Sequence, residues 1–248
     1  MIFQNFGFNQ LSIPATGGGG GGVVTNGLIA YYDIGNAGGY SGTTLNDLSG
    51  NSNNALLMNG AAYSGSNGGV IQLNQSSVSA TRLYIAIPDG VIDTINANGT
   101  NEASIQLWIK LENAVPNNDP QSGFMQFTAQ TNGIGVHYPY PDNNFYINTL
   151  KDYRPSQGTP ITNLAVWHYT TIRTAPGTNG WDFYINTGQQ AIDEGLNTLT
   201  LIKPFKIGQC GGGDDIMLQG AIGPILVYNR KISNADRNQN AAYFASRF

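Results

Sequence analysis

Charge is the scarcest commodity in this sequence. Of 248 residues only 10% are Asp, Glu, Lys or Arg, against roughly 25% in an average globular domain. The 11 basic residues are dispersed among 15 acidic ones for a net charge of −4. Such a chain offers no basic face to phosphates, which excludes nucleic-acid binding. Cysteine occurs once, as Cys210, so no intrachain disulfide forms. The two histidines, His137 and His168, stand 31 residues apart and no metal-binding Cys/His spacing exists. No Lys or Arg precedes Arg82, so the basic start of a secretory signal is missing and a reducing cytoplasm is the expected place of synthesis. Apolar runs such as Ile225-Leu226-Val227-Tyr228 are far shorter than the ~20 residues that span a bilayer, which excludes a membrane-spanning helix from the reading.

Amides and glycine take the place of charge: 29 Asn, 14 Gln and 33 Gly. Hydrophobic residues make up 40%, with 13 Tyr and 10 Phe, enough to build a core, so disorder through charge repulsion is not expected. The length suits one large all-β or α/β domain, or two small ones.

Residues 1–26 differ from the rest. Phe3, Phe6 and Phe8 lie among polar residues, Pro14 follows, and residues 17–22 are six consecutive glycines. Polyglycine is the costliest backbone to order and behaves as a flexible linker. The segment reads either as a solvated tail or as a docking arm whose three phenylalanines bury against a partner. From Gly27 to Phe248 the signal is β. Asn-Gly, a pair that tolerates positive φ and marks hairpins, occurs six times, at 26–27, 59–60, 67–68, 98–99, 132–133 and 179–180. Short apolar runs lie between, at 28–32, 55–58, 70–73 and 83–87, and again from 123 to 228. In 104–111 Ile105, Leu107, Ile109 and Leu111 alternate strictly, so one face of that strand is core and the other is not. A dozen strands with no helix between them predict an all-β fold, an antiparallel β-sandwich. One short helix is expected at the end. Ser233 suits an N-cap and Asp236 the first turn. Ala241, Phe244, Ala245 and Phe248 form one stripe, and Arg247 suits the last turn. That helix is expected to cover an open end of the sandwich.

Three separated stretches carry a family resemblance. The first is Gly27-Leu28-Ile29-Ala30-Tyr31-Tyr32-Asp33 followed by Asn46-Asp47-Leu48-Ser49-Gly50-Asn51. The second is Leu107-Trp108-Ile109, then Trp167-His168-Tyr169 and Trp181-Asp182-Phe183-Tyr184. The third is Phe205-Lys206-Ile207-Gly208 with Gly223-Pro224-Ile225-Leu226-Val227-Tyr228-Asn229-Arg230. In this order, over residues 27–248, they resemble concanavalin A-like lectin/glucanase domains of the laminin G-like type. The resemblance implies a jelly-roll sandwich with Ile105, Leu107, Trp108, Trp167, Trp181 and Val227 at or near its core. Alternation by itself puts Trp108 on the face opposite Ile105.

The superfamily hosts lectins, glycosidases, adhesion modules and structural proteins, so fold alone does not choose among them. The Asp47–Asn54 stretch, Val227-Tyr228-Asn229-Arg230 and the final Arg247-Phe248 further resemble domains of tailed-phage virion proteins. That likeness implies a non-enzymatic surface decoration or fibre-type subunit, made in a host cytoplasm. Its partners would be other virion proteins, reached through residues 1–26, and other copies of the chain. The alternative is a lectin-type adhesion module. Glucanases of the superfamily place Glu, Asp and Glu at alternating positions of one strand. The three glutamates here, Glu102, Glu112 and Glu194, do not fall in that pattern, so no enzyme and no catalytic residue is expected. No G-x-S-x-G elbow, phosphate-loop signature or H-E-x-x-H is present.

Two binding chemistries remain. Relatives of this fold hold Ca²⁺ at loop edges, and Asp47 with Asn51, or Asp214 with Asp215, offer hard oxygen ligands. The competing reading is that Asp47 and its asparagines cap turns, and that Asp214 and Asp215 form a solvated tip. No cofactor is otherwise implied. For glycans, His137-Tyr138-Pro139-Tyr140-Pro141-Asp142-Asn143 combines aromatic faces with carboxylate and amide groups, and Tyr153 follows shortly. A protein–protein contact uses the same chemistry and ranks slightly ahead.

Overall fold

Alternation in the strand Ala103–Leu111 organises the molecule. The computed structural model describes residues 21–73, 83–100, 102–111, 122–127, 134–138, 146–148, 153–155, 165–176, 180–192, 203–210 and 216–248. In it, Ala103–Leu111 pairs antiparallel with His168–Thr174 on one side and Gly220–Tyr228 on the other. These three strands are the centre of an eight-stranded sheet. Trp181–Ile185 and Gly188–Ile192 extend it one way; Val70–Leu73 and Ala62–Ser64 extend it the other, and Leu28–Tyr32 also pairs with Gly220–Tyr228. A nine-stranded sheet faces it, in the order Tyr153–Pro155, Tyr146–Asn148, Ile134–Tyr138, Ser122–Phe127, Phe205–Ile207, Tyr84–Ile87, Ala55–Met58, Thr44–Leu45, Tyr40–Ser41. The two sheets form an antiparallel β-sandwich of the jelly-roll kind.

Ile105, Leu107, Ile109 and Leu111 point into the space between the sheets. There they meet Leu57, Ile85, Ile87, Phe205 and Ile207 of the opposing sheet. Trp181 and Val227 belong to the same core. At one side Tyr40 and Tyr63, from the edge strands of the two sheets, stack with centroids 6.0 Å apart and span the gap between them.

Two expectations need correcting. The chain is not free of interleaved helix: α1, Asp89–Ala97, buries Val91, Ile92 and Ile95 in the main core. Its β-branched residues look strand-like, but their spacing of three and four is helical, and packing overrides propensity. Asn98-Gly99 therefore stops a helix rather than turning a hairpin, with Gly99 at φ +66° just past the C-cap. The second correction concerns the back of the central strand. Ser104, Gln106 and Trp108 are as buried as the core-facing residues. They lie under α2, Asn234–Phe244, which covers the outer face of the eight-stranded sheet, not an open end. Trp108, Leu226, Tyr228, Ile232 and Phe244, with Val24 and Tyr31, make up a second hydrophobic cluster there.

Helix α2 starts as the sequence indicates: Ser233 and Asp236 form a reciprocal capping box. Arg247, however, lies beyond its last turn. Its guanidinium reaches Asp33 at 2.7 Å and the carbonyls of Gly69 and Asn67 at 2.8 and 3.1 Å. A buried polar network seats the helix. The Asn240 amide donates to Gln106 Oε1 (2.9 Å) and to the Tyr228 hydroxyl (2.8 Å), while Asn240 Oδ1 accepts the Val24 N–H (2.9 Å). Gln106 in turn donates to the Arg237 carbonyl at 3.0 Å. The packed body thus begins before Gly27: Gln239 donates to the Gly22 carbonyl and Tyr228 to that of Val24.

Candidate functional site

Seating α2 on the sheet leaves a cleft of about 480 Å³ beside it. Strand register supplies its floor and one wall. Tyr169 stands directly opposite Trp108 in the antiparallel pair, so both rings emerge on the outer face, 5.9 Å apart and tilted by 30°. Trp167, half-buried, meets Phe248 edge-to-face at 4.6 Å. Phe248 also lies 6.2 Å from Trp108. Gly223 makes room for this arrangement, because a Cβ there would sit 2.9 Å from Phe248 Cζ and 3.0 Å from Trp108 Cβ.

The opposite rim is polar. Asn186 occupies the left-handed region at φ +52°, which asparagine tolerates well, and opens the turn between Trp181–Ile185 and Gly188–Ile192. Its Oδ1 accepts the Tyr169 N–H at 3.1 Å, its own N–H donates to the Tyr169 carbonyl at 2.8 Å, and its Nδ2 lies 3.2 Å from His168 Nδ1. The turn is thereby fastened to the strand, and His168 is buried as a structural partner. Thr187, beside it, and Asn238, on α2, line the mouth with exposed polar groups that make no hydrogen bond to any described residue.

Beneath the rim lies a cationic cluster. Arg173 grips Asp182 through two bonds of 2.7 and 2.9 Å, and Lys231 adds a contact of 3.2 Å to the same carboxylate. Arg237 stacks over the Tyr184 ring at 4.3 Å and donates to Tyr169 Oη and the Asn186 carbonyl. Other perturbed groups flank the helix. Burial pushes the Tyr228 phenol well above its ordinary range, as it does for Tyr31 and Tyr32. Burial alone would raise the Asp236 carboxyl, but the Ser233 N–H, the Arg230 guanidinium and the Ser233 hydroxyl together hold it below its ordinary value.

The residues singled out in the sequence fall elsewhere. His137 and Tyr138 end the strand Ile134–Tyr138, and Tyr153 begins Tyr153–Pro155, all in the nine-stranded sheet. By register His137 stands opposite Tyr146, and Tyr153 opposite Asn148. Tyr140, Asp142, Asn143, Asp214, Asp215, Phe3, Phe6 and Phe8 lie outside the described residues. Asp47 is the hub of its loop: Oδ1 accepts the N–H groups of Tyr31 and Ser49, both at 2.9 Å, and Oδ2 that of Asn53 at 3.0 Å. Asn51 Nδ2 donates to the carbonyls of Leu28 and Ile29. Among the described residues no group of three or more His, Cys, Asp or Glu is placed to share a metal ion. The cleft residues Trp167, Tyr169, Asn186, Asn238 and Phe248 were not marked as a site by the sequence. The signals the sequence did carry there, Trp108, the Trp167-His168-Tyr169 motif and the terminal Phe248, were signals of fold.

Residues 79–236, more than half the chain, match the family model of the concanavalin A-like lectin/glucanases superfamily. The chain belongs to that superfamily. The matched span contains the cleft floor and the aromatic strand, though not Asn238 or Phe248. Among solved structures, Trypanosoma rangeli sialidase in complex with 2,3-difluorosialic acid superposes with a TM-score of 0.66 at 13% identity, over 93% of this chain and 34% of that one. This superfamily member thus spans about a third of the sialidase's length. Domain 4 of AbnA, a GH43 extracellular arabinanase from Geobacillus stearothermophilus, in complex with arabinotriose, superposes with a TM-score of 0.62 at 17% identity. That match covers 86% of this chain and 98% of the domain. At such identities the likeness is one of fold. No curated protein sequence matches the chain.

Proposed function

We propose that this chain is a non-catalytic carbohydrate-binding domain that takes a sugar into the cleft beside α2. The observation that carries the reading is the pairing of ring faces with free polar groups in one concavity. Trp167, Tyr169 and Phe248 supply aromatic surface, and Asn238 and Thr187 supply hydrogen-bonding groups at the mouth. Flat aromatic surface suits the C–H face of a pyranose, and amide or hydroxyl groups suit its ring hydroxyls. The volume falls within the range of small-molecule sites, roughly 300–1,000 Å³. Among the described residues no Asp, Glu, His or Cys side chain lines the cleft, which favours binding over hydrolysis. The arabinotriose complex of a domain that aligns over nearly its whole length supports the same class of ligand. The test is a glycan array followed by titration of the best hit. Trp167→Ala is expected to abolish saturable binding while lowering Tm by only roughly 1–6 °C, since Trp167 is half-buried and loses one edge-to-face contact. Unchanged binding in that variant sinks the assignment to this cleft.

The setting expected from the phage resemblance, a virion subunit held by residues 1–26, draws on one structural feature. Gly22 and Val24 are clamped to α2, which gives the preceding residues a fixed point of departure from the domain. Deletion of residues 1–20 should leave the fold intact and remove the protein from purified particles. Normal incorporation of the truncated chain defeats this reading.

A further inference from the structure

A charge anomaly lies beneath the cleft. Four arginine side chains are described, and three have a carboxylate partner: Arg173 with Asp182 at 2.7 Å, Arg230 with Asp236 at 2.9 Å, and Arg247 with Asp33 at 2.7 Å. Arg237 is the most deeply buried of the four, 2% exposed, and has no carboxylate partner among the described residues. Its Nε has no hydrogen-bond partner among the described residues. An unneutralised guanidinium inside a protein is costly, and two tyrosine faces and two neutral acceptors recover only part of that cost.

Its remaining contacts point one way. Nη1 donates to the Tyr169 hydroxyl at 3.3 Å and to the Asn186 carbonyl, and both residues line the cleft. Because the Tyr169 oxygen accepts from a cation, its own proton is left to donate, and a phenol polarised in this way is a stronger donor. The cleft therefore presents a hydroxyl donor backed by a buried positive charge. Next to it, Arg173 and Lys231 share the single carboxylate of Asp182. We propose that the sugar taken by this cleft is a carboxylated one, such as a uronic acid or another acid-bearing terminal residue. Its carboxylate would accept from Tyr169 Oη and, through that hydroxyl, offset the buried charge of Arg237. The proposal rests on the assignment of the cleft as a glycan site and narrows it to a chemical class.

Bulk electrostatics does not produce this preference. The chain as a whole carries −4 and repels anions at long range. Selectivity for an acidic sugar must be local, and because the cation is buried it should survive salt that screens surface charges. The experiment uses the full chain and matched oligosaccharide pairs: chains ending in a uronic or sialic acid, and the same chains with the carboxyl reduced to an alcohol. The expected result is at least tenfold tighter binding of the acidic member, persisting at 0.5 M salt, on the order of a 3–5 Å Debye length. Arg237→Gln should bring the acidic-to-neutral ratio towards one, and Arg237→Lys should retain most of it. Should Arg237→Gln fail to fold, Tyr169→Phe carries the test, because it keeps the ring and removes only the hydroxyl; its ratio should also fall towards one. Equal or tighter binding of the neutral member, or a ratio indifferent to both variants, overturns the proposal while leaving the glycan assignment standing. Absence of binding to every member of both sets overturns the glycan assignment itself, and this proposal with it.

Discussion

Replacing Asn240 by leucine should unseat the helix that forms one side of the cleft. Asn240 is fully buried and makes three hydrogen bonds: to Gln106 Oε1, to Tyr228 Oη and from Val24 N–H. In Asn240→Leu the Tyr228 hydroxyl keeps its bond to the Val24 carbonyl, but Gln106 Oε1 and Val24 N–H are stranded in the interior. Each stranded group costs about 1–3 kcal/mol, and leucine recovers about 1 kcal/mol by burial, so the net loss should be about 3 kcal/mol. At this chain length that corresponds to a fall in Tm of roughly 6–12 °C. Gln106→Leu alone strands one Asn240 N–H in the same way. In the double variant the two apolar side chains meet, and the penalties each single change imposes on the other vanish. With two stranded groups relieved at once, the cycle should therefore show a coupling of about 2–3 kcal/mol in favour of the double variant. Urea unfolding followed by tryptophan fluorescence measures it, with a constant m-value as the condition for interpreting the midpoints. A single-variant loss below about 0.5 kcal/mol, or strictly additive changes, refutes the view that this network seats the helix.

Gly223→Ala places a methyl against Phe248 and Trp108 at 2.9 and 3.0 Å. It should cost about 1–3 kcal/mol by overpacking and displace the Phe248 ring, weakening glycan binding in the same titration; unaltered affinity argues against Phe248 as a cleft wall. Alkaline pH should unfold the protein through its buried phenols. Burial raises Tyr31, Tyr32 and Tyr228, so their stabilisation is complete below the unfolded value near 10 and is lost as pH climbs towards the raised native values. Tm should hold to about pH 10 and then fall, with phenolate absorbance from these residues appearing only as the fold is lost. Early titration of all three in the folded protein contradicts the burial described above.

How far the sequence reveals this fold depends on which face of the central strand is considered. Ile105, Leu107, Ile109 and Leu111 declare the inner face because a period of two has no other apolar reading. The outer face looks solvated, since Ser104 and Gln106 are polar. Yet Ser104 Oγ donates to the Arg230 carbonyl at 2.8 Å and accepts the Ile232 N–H at 3.0 Å, and Gln106 is absorbed by Arg237 and Asn240. These polar groups are buried because α2 and the segment leading into it satisfy them, and the satisfying partners lie more than 120 residues away in sequence. Local pattern cannot register such a partner. Helix α2 itself was legible at its start, where Ser233 and Asp236 act within one turn. Its docking face was legible only in part: the stripe of Ala241, Phe244 and Phe248 does meet the sheet, but the face is held as much by Asn240. Helix α1 was hidden for the opposite reason: Val91, Ile92 and Ile95 belong to residue types whose propensity is for strands.

The same distinction explains the site. Sequence reading favours chemistry that is contiguous, and the Tyr-Pro-rich stretch at 137–143 stands out because its aromatics and acceptors are adjacent. The cleft draws on Trp108, Trp167 and Tyr169, Asn186, Asn238 and Phe248, five segments that converge only after the helix is seated. Their separate signals are all structural. Trp108 reads as a strand aromatic, Asn186 as a turn residue, and Asn238 as a solvated helix position. The buried polar network under the helix and the cleft beside it therefore have one origin, a polar helix laid on a sheet face whose polar residues were placed to receive it. It follows that the cleft cannot be more stable than that docking. Variants that loosen Asn240 or Gln106 should lose glycan binding at temperatures where the inner core, held by Ile105, Leu107 and their partners, is still intact.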